Sequence, residues 1–214
     1  MAIASRAGLF IVFEGCEGSG KSTQVDRLVR RLRENGHKAV ATYEPGGTAI
    51  GEELRRALIT SRKTSIEPTT ELLLFGAARA QLTREVLLPA LRAGATVVCD
   101  RYAASSIAYQ GYGRGIELAT VHAVNSVATM GLRPDIVFLL DVPPEQALKR
   151  KRKAPDRFEM EDDGFHRRVR DGYLTLATTE PERWVVLNGL KPIEETAYTV
   201  WAHVARLLGH AATP

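Results

Sequence analysis

The strongest constraint on this chain is the stretch Gly15-Cys16-Glu17-Gly18-Ser19-Gly20-Lys21-Ser22, which has the form G-x-x-x-x-G-K-S. Before it stands a short apolar run, Leu9-Phe10-Ile11-Val12-Phe13, which reads as a buried strand. After it, Val25, Leu28, Val29 and Leu32 recur at helical spacing. Strand, glycine loop and helix start together form an anion site, because the first backbone N–H groups of a helix have no partner within it. Gly15 to Thr23 are therefore the expected cradle for a nucleoside triphosphate. Lys21 is placed to reach the β- and γ-phosphates, and the Ser22 hydroxyl to ligate Mg2+.

The rest of the chain alternates strands with helices. Ala39–Tyr43 is predicted as a second strand, and Glu44-Pro45-Gly46-Gly47-Thr48 as a loop, since proline and paired glycines continue neither element. A helix is predicted over about Ile50–Ile59, and a long apolar one from Pro68 to Leu91 that Pro89 should kink or end. Thr96–Cys99 reads as the third strand, closing on Asp100-Arg101-Tyr102. A helix over about Glu117–Met130, a strand Asp135–Asp141, and a helix opened by Pro143-Pro144 follow. Further helices are expected over about Asp163–Thr178 and Ile193–Leu208, with a short strand Trp184–Leu187 between them. This order predicts an α/β fold in one domain, residues 1–214: a five-stranded parallel sheet with helices on both faces. Ligands of such sheets bind beyond the carboxyl ends of the strands, so the loops after Glu14, Glu44, Asp100 and Asp141 should share one crevice. Of the strand-end acids, Asp100 is the candidate for the Mg2+ shell, because donors and aromatics follow it; Asp141, followed by two prolines, reads as a helix cap.

Composition excludes several classes. The two cysteines, Cys16 and Cys99, give neither a disulfide framework nor metal spacing, which fits a cytoplasmic setting; each reads as a small buried hydrophobe. No apolar run reaches the ~18 residues of a membrane helix, and Met1–Gly8 lacks the apolar core of a signal peptide. The net charge of +4 is spread along the chain apart from one basic cluster near residue 150, so a polyphosphate substrate accounts for it without nucleic acid. A guanine-reading N-K-x-D segment is missing, which argues against a GTPase switch.

Several segments, in order, resemble bacterial thymidylate kinases, a family of P-loop nucleoside monophosphate kinases. They are Glu14-Gly15-x-Glu17-Gly18-x-Gly20-Lys21-Ser22-Thr23, Glu44-Pro45-Gly46-Gly47-Thr48, Asp100-Arg101-Tyr102 with Ser105-Ser106-x-Ala108-Tyr109-Gln110-Gly111, and Arg133-Pro134-Asp135. The resemblance implies ATP and dTMP as substrates, Mg2+ as cofactor and a homodimer. It implies that Phe75 stacks on the thymine and that Arg79 bonds its O4. These two lie four residues apart, on one helix face, although Phe75 also suits a core position. By the same resemblance, Ser105, Ser106, Gln110, Glu44 and Pro45 belong to the dTMP site. Tyr109 would lie against the sugar 2′ position, Glu17 near the 3′-hydroxyl, and Arg55 and Arg101 on the monophosphate. A short basic lid, about residues 149–159, would bring Arg150 and Arg152 to the transferred group. A solvated basic helix end is the other reading of that run. One departure is Tyr43, where bacterial members commonly carry arginine. A kinase acting on another deoxynucleotide or a deoxynucleoside remains the alternative.

Overall fold

The computed structural model describes residues 7–60, 65–149 and 156–209. The central element is the first strand, β1 (Phe10–Glu14), every residue of which is buried. Its side chains alternate between two helical layers, as strand geometry requires. Ile11 and Phe13 enter a cluster with Val25, Leu28 and Leu32 of α1 (Lys21–Glu34) and Val200, Trp201 and Val204 of α9 (Ile193–Leu207). Phe10 and Val12 point the other way, toward Leu82 of α3 (Pro68–Leu82) and Leu88 and Leu91 of α4 (Leu88–Arg92). At roughly 1.5–3 kcal/mol for each large apolar side chain buried, the two layers hold the sheet between them.

The sheet has five strands in the order β2-β3-β1-β4-β5, all parallel: β2 is Ala39–Tyr43, β3 Thr96–Asp100, β4 Ile136–Asp141 and β5 Trp184–Asn188. The predicted fold class is therefore observed. Helix α2 (Ala49–Arg55) starts where Thr48 Oγ1 accepts the Gly51 N–H at 2.9 Å, and it runs on as a π-helical turn over Arg56–Thr60.

Pro89 disturbs its helix by a route the sequence did not specify. A π-helical turn, Thr83–Leu87, lies upstream, so Pro89 falls in the first turn of α4, where its missing N–H costs little. A second difference lies after β3. The segment 103–113, read only as a pocket lining, is helical: α5 (Ala103–Ser106) passes into a π-helical stretch, Ile107–Gly113. Helix α6 (Leu118–Thr129) ends on Met130 and Gly131, both with left-handed backbone. Helix α7 (Pro144–Lys149) follows β4, and α8 (Asp163–Thr179) packs along the 107–113 stretch. Asp141 is not the helix cap it was read as. Arg170 of α8 holds both of its carboxylate oxygens, at 2.7 and 2.8 Å.

Candidate active site

β1, β2 and β3 deliver Glu14, Glu44, Asp100 and Arg101 to one edge of the sheet, where a cleft of about 590 Å3 opens. From the glycine loop its wall takes Glu17, Gly18, Lys21 and Ser22; from elsewhere it takes Glu44, Pro45, Arg55, Phe75, Asp100, Arg101, Ser105, Ser106, Tyr109 and Gln110. Gly15, Cys16 and Ser19 are buried and off this wall, while Gly20 and Thr23, also off it, are exposed at the start of α1. Helix α1 begins after Gly20, which has left-handed backbone and contributes no side-chain cap, so the helix start is open to an anion.

The Lys21 ammonium is buried and donates to the carbonyls of Gly15 (3.0 Å) and Cys16 (2.8 Å). Burial, with Arg101 adding repulsion, brings its pKa down to about 8 against the pull of Asp100 and Glu17. A polyphosphate beside it reverses that shift. Ser22 Oγ donates to Asp100 Oδ2 at 2.5 Å. Two hard oxygen donors side by side at a phosphate loop suit Mg2+, which takes one or two protein ligands and completes its shell with water and phosphate oxygens.

Arg101 sits in left-handed backbone (φ 73°), an uncommon conformation for a side chain of its size, and spreads its guanidinium over four partners. Nη2 meets Glu17 Oε1 at 2.6 Å and the Tyr109 hydroxyl at 3.2 Å, while Nη1 meets Tyr173 at 3.0 Å and Ser105 at 3.3 Å. Glu17 also accepts from the Tyr109 hydroxyl. Burial alone would raise the Glu17 carboxyl, but Arg101, then Lys21 and Tyr109, hold it down to about 2. Beneath them Glu14 accepts from Ser105 (2.7 Å), Tyr173 (2.9 Å) and the Tyr102 N–H (2.9 Å), with its pKa raised by burial. Arg55 leans over the Tyr43 ring at 5.3 Å and donates to the Pro45 carbonyl at 2.8 Å. Tyr43 is held in turn by Glu52 at 2.6 Å. Tyr43, the departure noted from the family pattern, thus supports a neighbouring arginine.

Arg79, expected at the base carbonyl, is held among protein partners. Only 1% exposed, it is not on the cleft wall, and its N–H groups are taken by Glu44 (2.8 Å from Nε), Ser106 (2.9 Å), Asn125 (2.6 Å) and the Tyr102 carbonyl (3.2 Å). With every donor engaged by protein, a direct bond to a base would require it to release one of them. Burial pushes the Glu44 carboxyl up, and Arg79 opposes that shift. Phe75, expected either in the core or at the base, is both half-buried and on the cleft wall, 5.8 Å from the Phe158 ring. Arg150 and Arg152 lie outside the described residues. Arg157, from the predicted lid, is not on the cleft wall and pairs with Glu71 of α3 at 2.6 Å.

The sequence reading passed over Tyr173, Phe158 and Glu71. Glu71 alone carried a signal, since it lies four residues before Phe75 and eight before Arg79 on the same face of α3. Tyr173 and Phe158 reach the site through tertiary packing.

A parallel sheet with this loop between β1 and α1, a second cluster of cations and an aromatic recess opposite it defines a P-loop kinase fold. The thymidylate kinase family model matches residues 13–200. The chain is 47% identical over 209 residues to the thymidylate kinase of Geotalea uraniireducens, covering 94% of this chain and 98% of that protein. It is 50% identical over 200 residues to that of Deinococcus radiodurans, covering 92% and 97%. The crystal structure of thymidylate kinase from Ehrlichia chaffeensis superposes with a TM-score of 0.73 at 32% identity, covering 94% of this chain and 99% of that one. The chain belongs to the thymidylate kinase family.

Proposed function

We propose that the protein transfers the γ-phosphoryl group of ATP to dTMP, giving dTDP and ADP, with Mg2+ as cofactor. The observation that carries this reading is a single cleft whose wall combines Lys21, Ser22 and Asp100 with Phe75, Ser106 and Gln110 and with Arg55 and Arg101. The acceptor is a phosphate whose second pKa is roughly 6, so its oxygen is already dianionic near neutrality and needs no general base. Alignment and compensation of charge are what remain for the protein to supply. Lys21 and the α1 N-terminus hold the donor phosphates. Ser22 and Asp100 would hold Mg2+, which would supply charge neutralisation for the phosphate oxygens. Arg55 and Arg101 hold the acceptor phosphate, with Glu17 and Tyr109 at its sugar, and Phe75 stacks on the base.

A homodimer in the cytoplasm is part of the same proposal. It is supported by Leu73 on α3 (55% exposed) and Val127 on the adjacent α6 (80% exposed), large apolar side chains on helices that pack together.

The test is an acceptor panel with ATP and Mg2+ comprising dTMP, dUMP, dCMP, dGMP and thymidine, run on the wild type and on Lys21→Ala. Preference for dTMP, with kcat reduced at least about 100-fold in the variant, is the expected result. Preference for thymidine, or near-normal turnover by Lys21→Ala, would overturn the proposal.

A further inference from the structure

Glu71 is wholly buried on α3 and is not on the cleft wall, yet it holds a residue that is. Its Oε1 accepts from Gln110 Nε2 at 2.8 Å and from Arg114 Nε at 3.3 Å. Its Oε2 is bonded by Arg114 Nη2 at 3.1 Å and by Arg157 Nη1 at 2.6 Å. A carboxylate clasped by two guanidinium groups accepts hydrogen bonds and donates none. It therefore fixes which end of the Gln110 amide faces it: the NH2 group turns inward and the carbonyl oxygen is left for the cleft.

The neighbouring wall residue, Ser106, meets a buried guanidinium instead. Arg79 Nη1 donates to Ser106 Oγ at 2.9 Å, and a guanidinium only donates. The Ser106 hydroxyl proton is thereby left to point elsewhere. Ser106 and Gln110 both line the cleft and lie four residues apart on one helical stretch. The wall thus shows the Gln110 carbonyl, its polarity set by buried Glu71, beside a Ser106 hydroxyl that can donate and still has one lone pair free. A pyrimidine with a carbonyl at C4 and a proton on N3 complements that pair. Cytosine has a bare N3, and so sets an acceptor against the Gln110 carbonyl where thymine and uracil offer a proton.

We infer that Glu71 is a positioning residue for base specificity, acting through the amide of Gln110 to admit thymine and uracil and reject cytosine. This rests on the proposed placement of the base against Ser106 and Gln110. In Glu71→Gln, the new amide accepts or donates, and Gln110 becomes free to turn over.

The test measures kcat/KM for dTMP, dUMP and dCMP in the wild type, Glu71→Gln, Gln110→Leu and the double variant. The dTMP/dCMP ratio should fall roughly 10- to 100-fold in Glu71→Gln, with the dTMP/dUMP ratio unchanged. In the Gln110→Leu background, Glu71→Gln should move the dTMP/dCMP ratio no further. Equal loss on dTMP and dCMP in Glu71→Gln, or the same effect of that substitution with and without Gln110, would refute the inference while leaving the base placement intact. An unchanged dTMP/dCMP ratio in Gln110→Leu would refute the placement and the inference with it. Arg114→Met disturbs the same ion cluster but leaves the Gln110 bond, and should keep the ratio.

Should Glu71→Gln not fold, the wild type supplies an independent readout. Its Gln110 side-chain NH2 resonance, assigned by its loss in Gln110→Leu, should be shifted downfield and protected from exchange before and after dTMP is added. Loss of that protection on dTMP binding would show the amide facing the base and overturn the inference.

Discussion

Adding a single methyl group to Gly18 tests the mechanical link between the phosphate loop and the helix beside it. Gly18 has left-handed backbone (φ +74°), and a Cβ built there comes within 2.3 Å of the Ala147 carbonyl oxygen and 3.1 Å of its carbon. Ala147 is buried on α7, so the obstacle is helix backbone and not the end of a flexible side chain. Bringing the contact from 2.3 Å out to about 3.0 Å moves the loop and α7 apart by several tenths of an ångström. The backbone conformation costs about 1–2 kcal/mol and the overpacking about 1–3 kcal/mol. For a chain of this size a loss of 2–5 kcal/mol lowers Tm by roughly 5–15 °C. Gly36→Ala supplies the comparison. Gly36 has similar backbone (φ +81°) with nothing within 4 Å of the added methyl, so only the conformational part remains, about 1 kcal/mol. Calorimetry should therefore separate the two variants by several degrees. Because the loop carries the donor phosphates, KM for ATP should also rise about tenfold in Gly18→Ala and stay unchanged in Gly36→Ala. A Tm for Gly18→Ala within ~2 °C of that for Gly36→Ala, together with an unchanged KM for ATP, would refute the reasoning.

Two further predictions follow from perturbed groups. The Lys21 pKa of about 8 lies below its ordinary 10.5, so the unfolded chain binds more protons between those values, and the group's cost to stability is relieved as pH rises through that window. ATP restores the charged form, so calorimetric titration at pH 8.5 in buffers of differing ionisation enthalpy should record uptake of roughly three-quarters of a proton per ATP; no uptake would contradict the shift. Burial pushes the Cys16 thiol up to about 11 and Cys99 well above its usual value, so neither should react with an aromatic disulfide reagent at pH 7.5 until the protein is unfolded. Reaction within minutes in the native state would show one of them to be accessible.

The sequence was most informative where structure is local. β1, α1 and β2 were predicted nearly to the residue, because strand alternation, a helical stripe and the glycine loop each carry their own period. The helix over 103–113 was missed because no such period exists there, and Gly111 and Gly113 weaken its helix propensity. In the fold these glycines answer to packing. A Cβ on Gly113 would meet the Phe165 ring at 2.7 Å, and one on Gly111 would meet Leu118 at 2.6 Å. Contact with α8 and α6 overrides weak helix propensity, and that contact is written elsewhere in the chain. The π-helical turn ahead of Pro89 is similar, since proline signals a disturbed helix without saying how the backbone absorbs it.

Arg79 shows what limited the reading of the site. Spacing placed it on one face with Phe75, which is correct, but spacing cannot say that Glu44, Ser106, Asn125 and the Tyr102 carbonyl converge on it. The same holds around the cleft. Glu14 lies behind Ser105, Glu17 beside Arg101, and Glu71 behind Gln110, each bonded to the residue it backs. These pairings have a common physical cause. A cation placed ready for phosphate, or an amide ready for a base, cannot stand unpaired in a poorly hydrated recess, and a buried carboxylate is tolerated only with donors around it. Each pair meets both requirements and at the same time fixes the orientation of the group that faces the ligand. Wall groups locked before the substrate arrives need little reorganisation when charge shifts along the phosphates, which is where electrostatic catalysis gains most. The motifs name the residues that touch the ligand. The residues that aim them lie partly in those motifs, as Glu14 and Glu17 do, and partly outside them, as Glu71 on α3 does, and only the fold brings them into register.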